Sequence, residues 1–214
     1  MKKIEKYYEN TQNALPHKNV LEFMDIEKNT GKAIDLGCGV GRDTVYLIKN
    51  GWNVIAVDRE DTKQIITNKL NYKELERFKF IQSEFENIEL EMNNLVIANY
   101  SISFCNKDKF YDFWNKIINS IEKNGCFVGN FLGKNDEWNN PKNDLTFLNK
   151  KISWFKVQPT DFICLFFILY YKESIPKRFL ASTPIIYEIT ATDKDIIAIV
   201  AKFFKNGSSF ATDI

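Results

Sequence analysis

The chain has 214 residues, enough for one domain with a full core, and 44% of them are apolar, which excludes wholesale disorder. Its 29 Lys+Arg against 28 Asp+Glu leave a formal charge of +1, so no net field draws it to nucleic acid or anionic lipid. Nine glycines without a period and four widely spaced cysteines exclude collagen-like and disulfide-scaffold chains.

In chain order, residues 4–15 and 18–28 read as helices, broken between them by Pro16, whose ring removes a donor and disfavours helix in the preceding residue. Lys32–Leu36 reads as a short apolar strand running into glycines, and Asp43–Asn50 as a helix stopped by Gly51 as its C′ residue. Asn53–Val57 is a second strand, Thr62–Leu70 a helix, Phe78–Gln82 a third strand and Leu95–Asn99 a fourth. Apolar residues Phe110, Phe113, Trp114, Ile117, Ile118 and Ile121 recur at helical spacing, and Gly125–Leu132 follows as a fifth strand. Beyond residue 145 the alternation stops. Phe162–Tyr171, Ile185–Thr190 and Ile196–Phe204 read as strands with no long helix between them.

Short strands alternating with helices specify an α/β, doubly wound, mostly parallel sheet. The late strands suggest an antiparallel C-terminal edge. Glu74, Glu76, Arg77 and Lys79 alternate in sign and read as a solvated face. The charged amino terminus lacks the apolar region of a signal peptide, and the run Phe162–Tyr171 is half of a membrane-spanning length. With no C-x-x-C pair and a single histidine, His17, ligands for a metal site are lacking. The expectation is a cytoplasmic protein with no membrane association and no metal. His17, beside a proline, reads as an exposed loop residue.

Most of the chemistry lies in Asp35-Leu36-Gly37-Cys38-Gly39-Val40-Gly41-Arg42-Asp43-Thr44. A strand ends in three alternate glycines and a helix opens at once. Glycine serves where the backbone takes positive φ or a ligand approaches without a Cβ in the way, and a helix start favours an anion. Asp58 closes the second strand 21 residues after Gly37, placed to accept from ribose hydroxyls. A dinucleotide fingerprint counted from Gly37 needs glycine at position 42, which is Arg42. Glycine stands at 41 instead, and Asp35 is an acceptor suited to an ammonium group. A ligand bearing carboxylate, ammonium and ribose fits: S-adenosylmethionine.

At these residues the chain resembles class I S-adenosylmethionine-dependent methyltransferases, and within them the tellurite-resistance and thiopurine type of small-molecule methyltransferase. The resemblance runs from about Tyr7 to Leu132 and is sharpest over Ala33–Asp58. It implies a seven-stranded Rossmann-like sheet in a single methyltransferase domain over 1–214. The parts are a helical cap (1–30), a cofactor-binding core (31–133) and a β-rich part (145–205). By the same resemblance Asp35, Gly37, Cys38, Gly39 and Gly41 hold the methionine portion of S-adenosylmethionine, with Arg42 beside it. Asp58 binds the ribose and Arg59 flanks the adenine. Glu84 accepts from the adenine amino group, the Phe85 N–H reaches a ring nitrogen, and Asn99, Tyr100 and Ser101 face the methyl. Tyr7-Tyr8 and Pro16-His17-Lys18 resemble the segment that caps the cofactor. Two departures stand out: Asn94 replaces the usual acid at the start of strand four, and the family's histidine-containing stretch is not recognisable over 150–204.

The function expected is methyl transfer to a small-molecule acceptor by in-line displacement, with no catalytic residue identified. The alternatives are an RNA or protein methyltransferase, disfavoured by the missing basic cluster, and a non-catalytic S-adenosylmethionine-binding domain. Asn99-Tyr100-Ser101 lacks the prolines of the D/N-P-P-Y motif, which disfavours methylation of DNA bases.

Overall fold

The computed structural model describes residues 3–132, 187–192 and 196–202. Two helices come first, α1 (Lys3–Thr11) and α2 (Lys18–Ile26), separated at Pro16 as expected. Strands and helices then alternate: β1 (Lys32–Leu36), α3 (Arg42–Lys49), β2 (Asn53–Asp58), α4 (Lys63–Thr67), α5 (Tyr72–Leu75), β3 (Phe78–Gln82), β4 (Asn93–Ala98), α6 (Phe110–Asn119) and β5 (Ile121–Leu132). Two late strands follow, β6 (Tyr187–Thr192) and β7 (Ile196–Lys202).

The sheet has seven strands in the order β3-β2-β1-β4-β5-β7-β6. β1 pairs in parallel with β2 on one side (Asp35 opposite Ala56) and with β4 on the other (Asp35 opposite Ile97). The order reverses at β1, so β1 and β4 form the switch point where open α/β sheets take their ligands. β7 runs antiparallel to both β5 and β6, so the antiparallel element is inserted second from the edge. The expected strand Phe162–Tyr171 lies outside the described residues.

Side chains of period two divide the strands between two layers. Ile34, Leu36, Val96, Ala98 and Phe127 share a cluster with Phe113, Trp114 and Ile117 of α6. Ala33, Leu95, Ile97, Cys126 and Val128 face the other way, onto Val20, Phe23, Leu47, Ile48 and Trp52. Full burial of each large apolar side chain is worth about 1.5–3 kcal/mol, so α2, α3 and α6 are held against the sheet chiefly by these stripes. Trp114 meets Phe127 edge-on, with centroids 5.0 Å apart.

Two local readings are corrected, and the solvated charged stretch carries a short helix. Ile121 belongs to the apolar stripe by spacing, yet it opens β5 opposite Asn93; the helix ends at Asn119, and a strand partner outcompetes another half-turn. The charged segment at 71–79 contains a helix: Asn71 accepts from the Glu74 N–H at 3.0 Å while Glu74 accepts from the Asn71 N–H at 2.8 Å. That reciprocal capping box sets α5. The second helix of the Thr62–Leu70 reading is also shorter, ending at Thr67. Asn94, the departure at strand four, accepts from the Lys32 N–H at 2.9 Å and pins the entry to β1.

Candidate functional site

The C-terminal ends of β1, β2 and β4 converge on the glycine turn. Gly37, Gly39 and Gly41 have φ of 74°, 52° and 77°, a region that side chains adopt only at a cost. The turn is stitched to β2 by the N–H groups of Gly37 and Cys38, both donating to the Val57 carbonyl, at 2.8 and 3.0 Å. A Cβ on Gly37 would lie 2.3 Å from the Ser101 Cβ, and one on Gly41 2.5 Å from Ile66 Cγ1. A Cβ on Gly39 would meet only Tyr8 Cε1, at 3.6 Å. The outer two glycines are therefore packing requirements. The middle one leaves an open cradle beneath a tyrosine of α1.

Asp58, at the end of β2, is buried and ties this cradle together: Oδ2 accepts from the Gly39 N–H at 2.7 Å and Oδ1 from the Glu60 N–H at 3.0 Å. Each oxygen keeps a second lone pair for a hydroxyl donor. Tyr8 is half-buried, and burial, followed by the Asp58 and Glu60 carboxylates, pushes its hydroxyl well above the ordinary value; it stays a neutral phenol.

Asp35 lies beneath the turn, 3% exposed, its Oδ2 accepting from the Thr44 hydroxyl at 2.6 Å. Burial, and then the nearby Asp43 and Asp58 carboxylates, raise it to about 8 against the opposing pull of the Thr44 bond. Burial likewise pushes the Cys38 thiol well up, in keeping with a small packing residue rather than a nucleophile.

The other expected residues are distributed as follows. Arg42 Nε donates to the Leu15 carbonyl at 2.6 Å, fastening the segment after α1 to α3. The Arg59 guanidinium stands 6.0 Å over the Phe104 ring. Glu84 is exposed, and its carboxylate accepts from Asn87 Nδ2 at 3.4 Å. Phe85 stacks on Phe113 with centroids 5.0 Å apart, and its Cζ would lie 3.4 Å from a Cβ on Gly37. Asn99 is buried at the end of β4, followed by Tyr100 at φ 52°. Such backbone costs on the order of 1–3 kcal/mol in a residue with a Cβ. It is held by its neighbours: Asn99 is bonded on one side, and on the other Ser101 Oγ donates to the Leu36 carbonyl at 2.5 Å.

A buried polar network behind Asn99 is the feature the sequence reading missed. Asp43 Oδ2 accepts from Asn99 Nδ2 at 2.8 Å and lies 2.7 Å from His17 Nδ1, while Oδ1 accepts from the His17 backbone N–H at 2.8 Å. Asn19 Nδ2 donates to Asn99 Oδ1 at 2.6 Å. His17 is thus no exposed loop residue: its side chain is 16% exposed and its ring centroid is 5.2 Å from that of Tyr100. Burial acts to raise Asp43, but bonds from His17 and Asn99 outweigh it and hold the carboxyl below its ordinary value. The available signal was Asp43 itself, a charge immediately inside a helix that the apolar stripe obliges to be buried. Its partners are 26 and 56 residues away, beyond the reach of any spacing rule.

Among the described residues no helix is long and apolar enough to cross a membrane, and no group of three His, Cys, Asp or Glu side chains is arranged to hold a metal ion.

A parallel sheet reversing at β1, a glycine turn at that reversal and an acid closing β2 define a class I, Rossmann-like methyltransferase fold. The chain belongs to the family of the tellurite resistance protein TehB, whose model matches residues 1–124. Solved structures agree on the fold. The 1,6-didemethyltoxoflavin-N1-methyltransferase of Burkholderia thailandensis, solved with 1,6-didemethyltoxoflavin and S-adenosylhomocysteine, aligns at TM-score 0.60 and 15% identity, over 94% of this chain and 85% of its own. TehB from Haemophilus influenzae aligns at TM-score 0.55 and 15% identity, over 94% of this chain and 67% of its own. The glycopeptide N-methyltransferase MtfA, complexed with S-adenosyl-L-methionine, aligns at TM-score 0.55 and 14% identity, over 88% and 94%. No curated protein matches the sequence.

Proposed function

We propose that the protein is an S-adenosylmethionine-dependent methyltransferase acting on a small-molecule acceptor. The observation that carries the reading is the Gly39 cradle: an unfilled glycine face at the switch point, whose N–H is fixed by the Asp58 carboxylate. A bulky, ribose-bearing ligand needs such a face, and a turn serving only the fold has no use for it. The TehB family membership and the cofactor-bound state of two fold neighbours support the same reading.

In this assignment Asp35, Gly37, Cys38, Gly39 and Gly41 surround the methionine portion, and Arg42 braces the turn from the side. Asp58 accepts from the ribose, Arg59 and Phe85 border the adenine, and Glu84 accepts from its amino group. Asn99 and Tyr100 face the transferable methyl, and Tyr8 closes the cradle from above. When bound, the sulfonium supplies an electrophilic methyl group. The chain's own work is alignment and the exclusion of water, effects that together supply several kcal/mol. The near-neutral charge favours a small acceptor over RNA, and the three described cysteines, all buried, behave as small packing residues.

Calorimetric titration with S-adenosylmethionine and S-adenosylhomocysteine tests the assignment. Binding of both, lost in Asp58→Ala, is expected. A wild-type protein that binds neither refutes it.

A further inference from the structure

Of the His17–Asp43–Asn99 network only Asn99 has a place in the site assigned above; Asp43 and His17 have none, yet both are bonded together at the start of α3, directly after the glycine turn. Asp43 is in the first turn of α3, directly after the glycine turn, and Asn99 ends β4 immediately before Tyr100. His17, packed on Tyr100, therefore stands over the gap between β1 and β4, on the side where the methyl is presented.

The geometry sets the ring's chemistry. An ionised carboxylate only accepts hydrogen bonds, so Nδ1, 2.7 Å from Asp43 Oδ2, must carry the proton. A second anchor, the His17 backbone N–H on Oδ1, stops the ring and the carboxylate from sliding apart. Asn99, donating to the same Oδ2, fixes Asp43 in turn. In the neutral ring the lone pair then belongs to Nε2, which has no hydrogen-bond partner among the described residues. This is the arrangement by which a buried acid orients an imidazole base in hydrolases. Asp43 is the charged group bonded to the ring, and the neutral Tyr100 ring packs against it with centroids 5.2 Å apart; Lys18 is paired with Glu22 at 3.0 Å, and Arg42 is turned to the Leu15 carbonyl.

We propose that His17 is the general base of the reaction, with Asp43 and Asn99 as positioning residues, and that the acceptor is an amine or hydroxyl with a proton to lose. The inference rests on the methyltransferase reading and narrows its acceptor. The acceptor's lone pair forms the new bond to the methyl carbon, and the methyl–sulfur bond breaks with its electron pair left on sulfur. The proton the acceptor sheds passes to Nε2, giving an imidazolium paired with Asp43. An oxyanion or thiolate acceptor has no proton to shed and would leave this base without a task.

His17 is the sole histidine of the chain, so its ring can be observed without assignment. Long-range 1H–15N spectra of the full-length, 15N-labelled protein, with S-adenosylhomocysteine added, are expected to show Nδ1 protonated and Nε2 bare. Asp43→Asn should return the ring to the Nε2–H form usual in solution. An Nε2–H tautomer in the wild type, or one unaltered by Asp43→Asn, overturns the proposal. Methyl transfer from labelled S-adenosylmethionine to benzylamine, catechol, 2-mercaptoethanol and selenite supplies the second arm. Benzylamine or catechol should be methylated, with His17→Gln slowing transfer about 100-fold or more at pH 7 and less as pH rises. Transfer is compared at saturating S-adenosylmethionine, so that a change in cofactor affinity does not enter the ratio. Methylation of only the thiol or selenite, of no compound in the set, or a loss equal at every pH overturns it. Failure of the wild type to bind S-adenosylhomocysteine instead removes the underlying methyltransferase reading.

Discussion

Asp35→Asn isolates the physical oddity at the centre of the site. The Asp35 carboxyl is raised from its ordinary 3.8 to about 8, first by burial and then by Asp43 and Asp58. Between those two values the folded protein holds a proton that the unfolded chain has released, so stability falls as pH rises through this window. Each pH unit is worth about 1.4 kcal/mol, which accumulates to about 4 kcal/mol between pH 4 and pH 7. An asparagine keeps the shape, and its side-chain oxygen can still accept from Thr44, but it has no proton to lose. The variant should therefore gain on the wild type by that amount across the window, a relative rise in melting temperature of roughly 10 °C. Asp43 works the other way: its lowered carboxyl contributes stability that is lost only at the acid end, as pH falls through its folded value. Asp43 is kept in both proteins, so its own contribution drops out of the comparison to first order. Thermal unfolding followed by circular dichroism from pH 4 to 8 checks the effect. A wild type and variant whose melting temperatures run parallel over the whole range would show that Asp35 is an ordinary ionised acid. A linked effect should appear on ligation. A cationic ligand at the turn favours the ionised form, so binding near pH 7 should release about one proton, read as a dependence of the calorimetric enthalpy on the buffer.

Gly41→Ala places a Cβ 2.5 Å from Ile66 Cγ1 at φ 77° and should lower stability by roughly 1–3 kcal/mol, measured by urea unfolding; at Gly39, where space is open, Ala should disturb cofactor affinity more than stability. Asp58→Ala removes the acceptor for the Gly39 and Glu60 N–H groups, so besides abolishing cofactor binding it should cost about 1–3 kcal/mol for donors left unpaired. Tyr8→Ala uncovers the cradle and should weaken S-adenosylhomocysteine binding in calorimetry with little change in the melting temperature of the unliganded protein, because Tyr8 is only half-buried.

The parts of this molecule that could be read from its sequence are those governed by local rules. The positive-φ demand at Gly37, Gly39 and Gly41, the arrival of Asp58 at the next strand end and the period-two strands are all properties of a few neighbouring residues. The switch point followed from them by topology alone. Ile121 was misread because a helix stripe and a strand start offer the same apolar residue, and only the pairing with Asn93 decides between them. The capping box of Asn71 and Glu74 was legible in principle but lay hidden in a run of charges whose bland reading is a solvated face.

The His17 network failed to show itself for a different reason. A buried acid such as Asp43 must be partnered, but its partners come from the segment before α2 and from the end of β4. A sequence shows the demand and not who meets it. The same limit explains why the acid–base question looked empty: a lone histidine beside a proline has no local feature that turns it inward. What turns it inward is the carboxylate that accepts both its backbone and its ring nitrogen. On the proposed reading, the acceptor chemistry is set by which distant side chain the first helical acid after the glycine turn recruits. In this molecule the recruit is an imidazole.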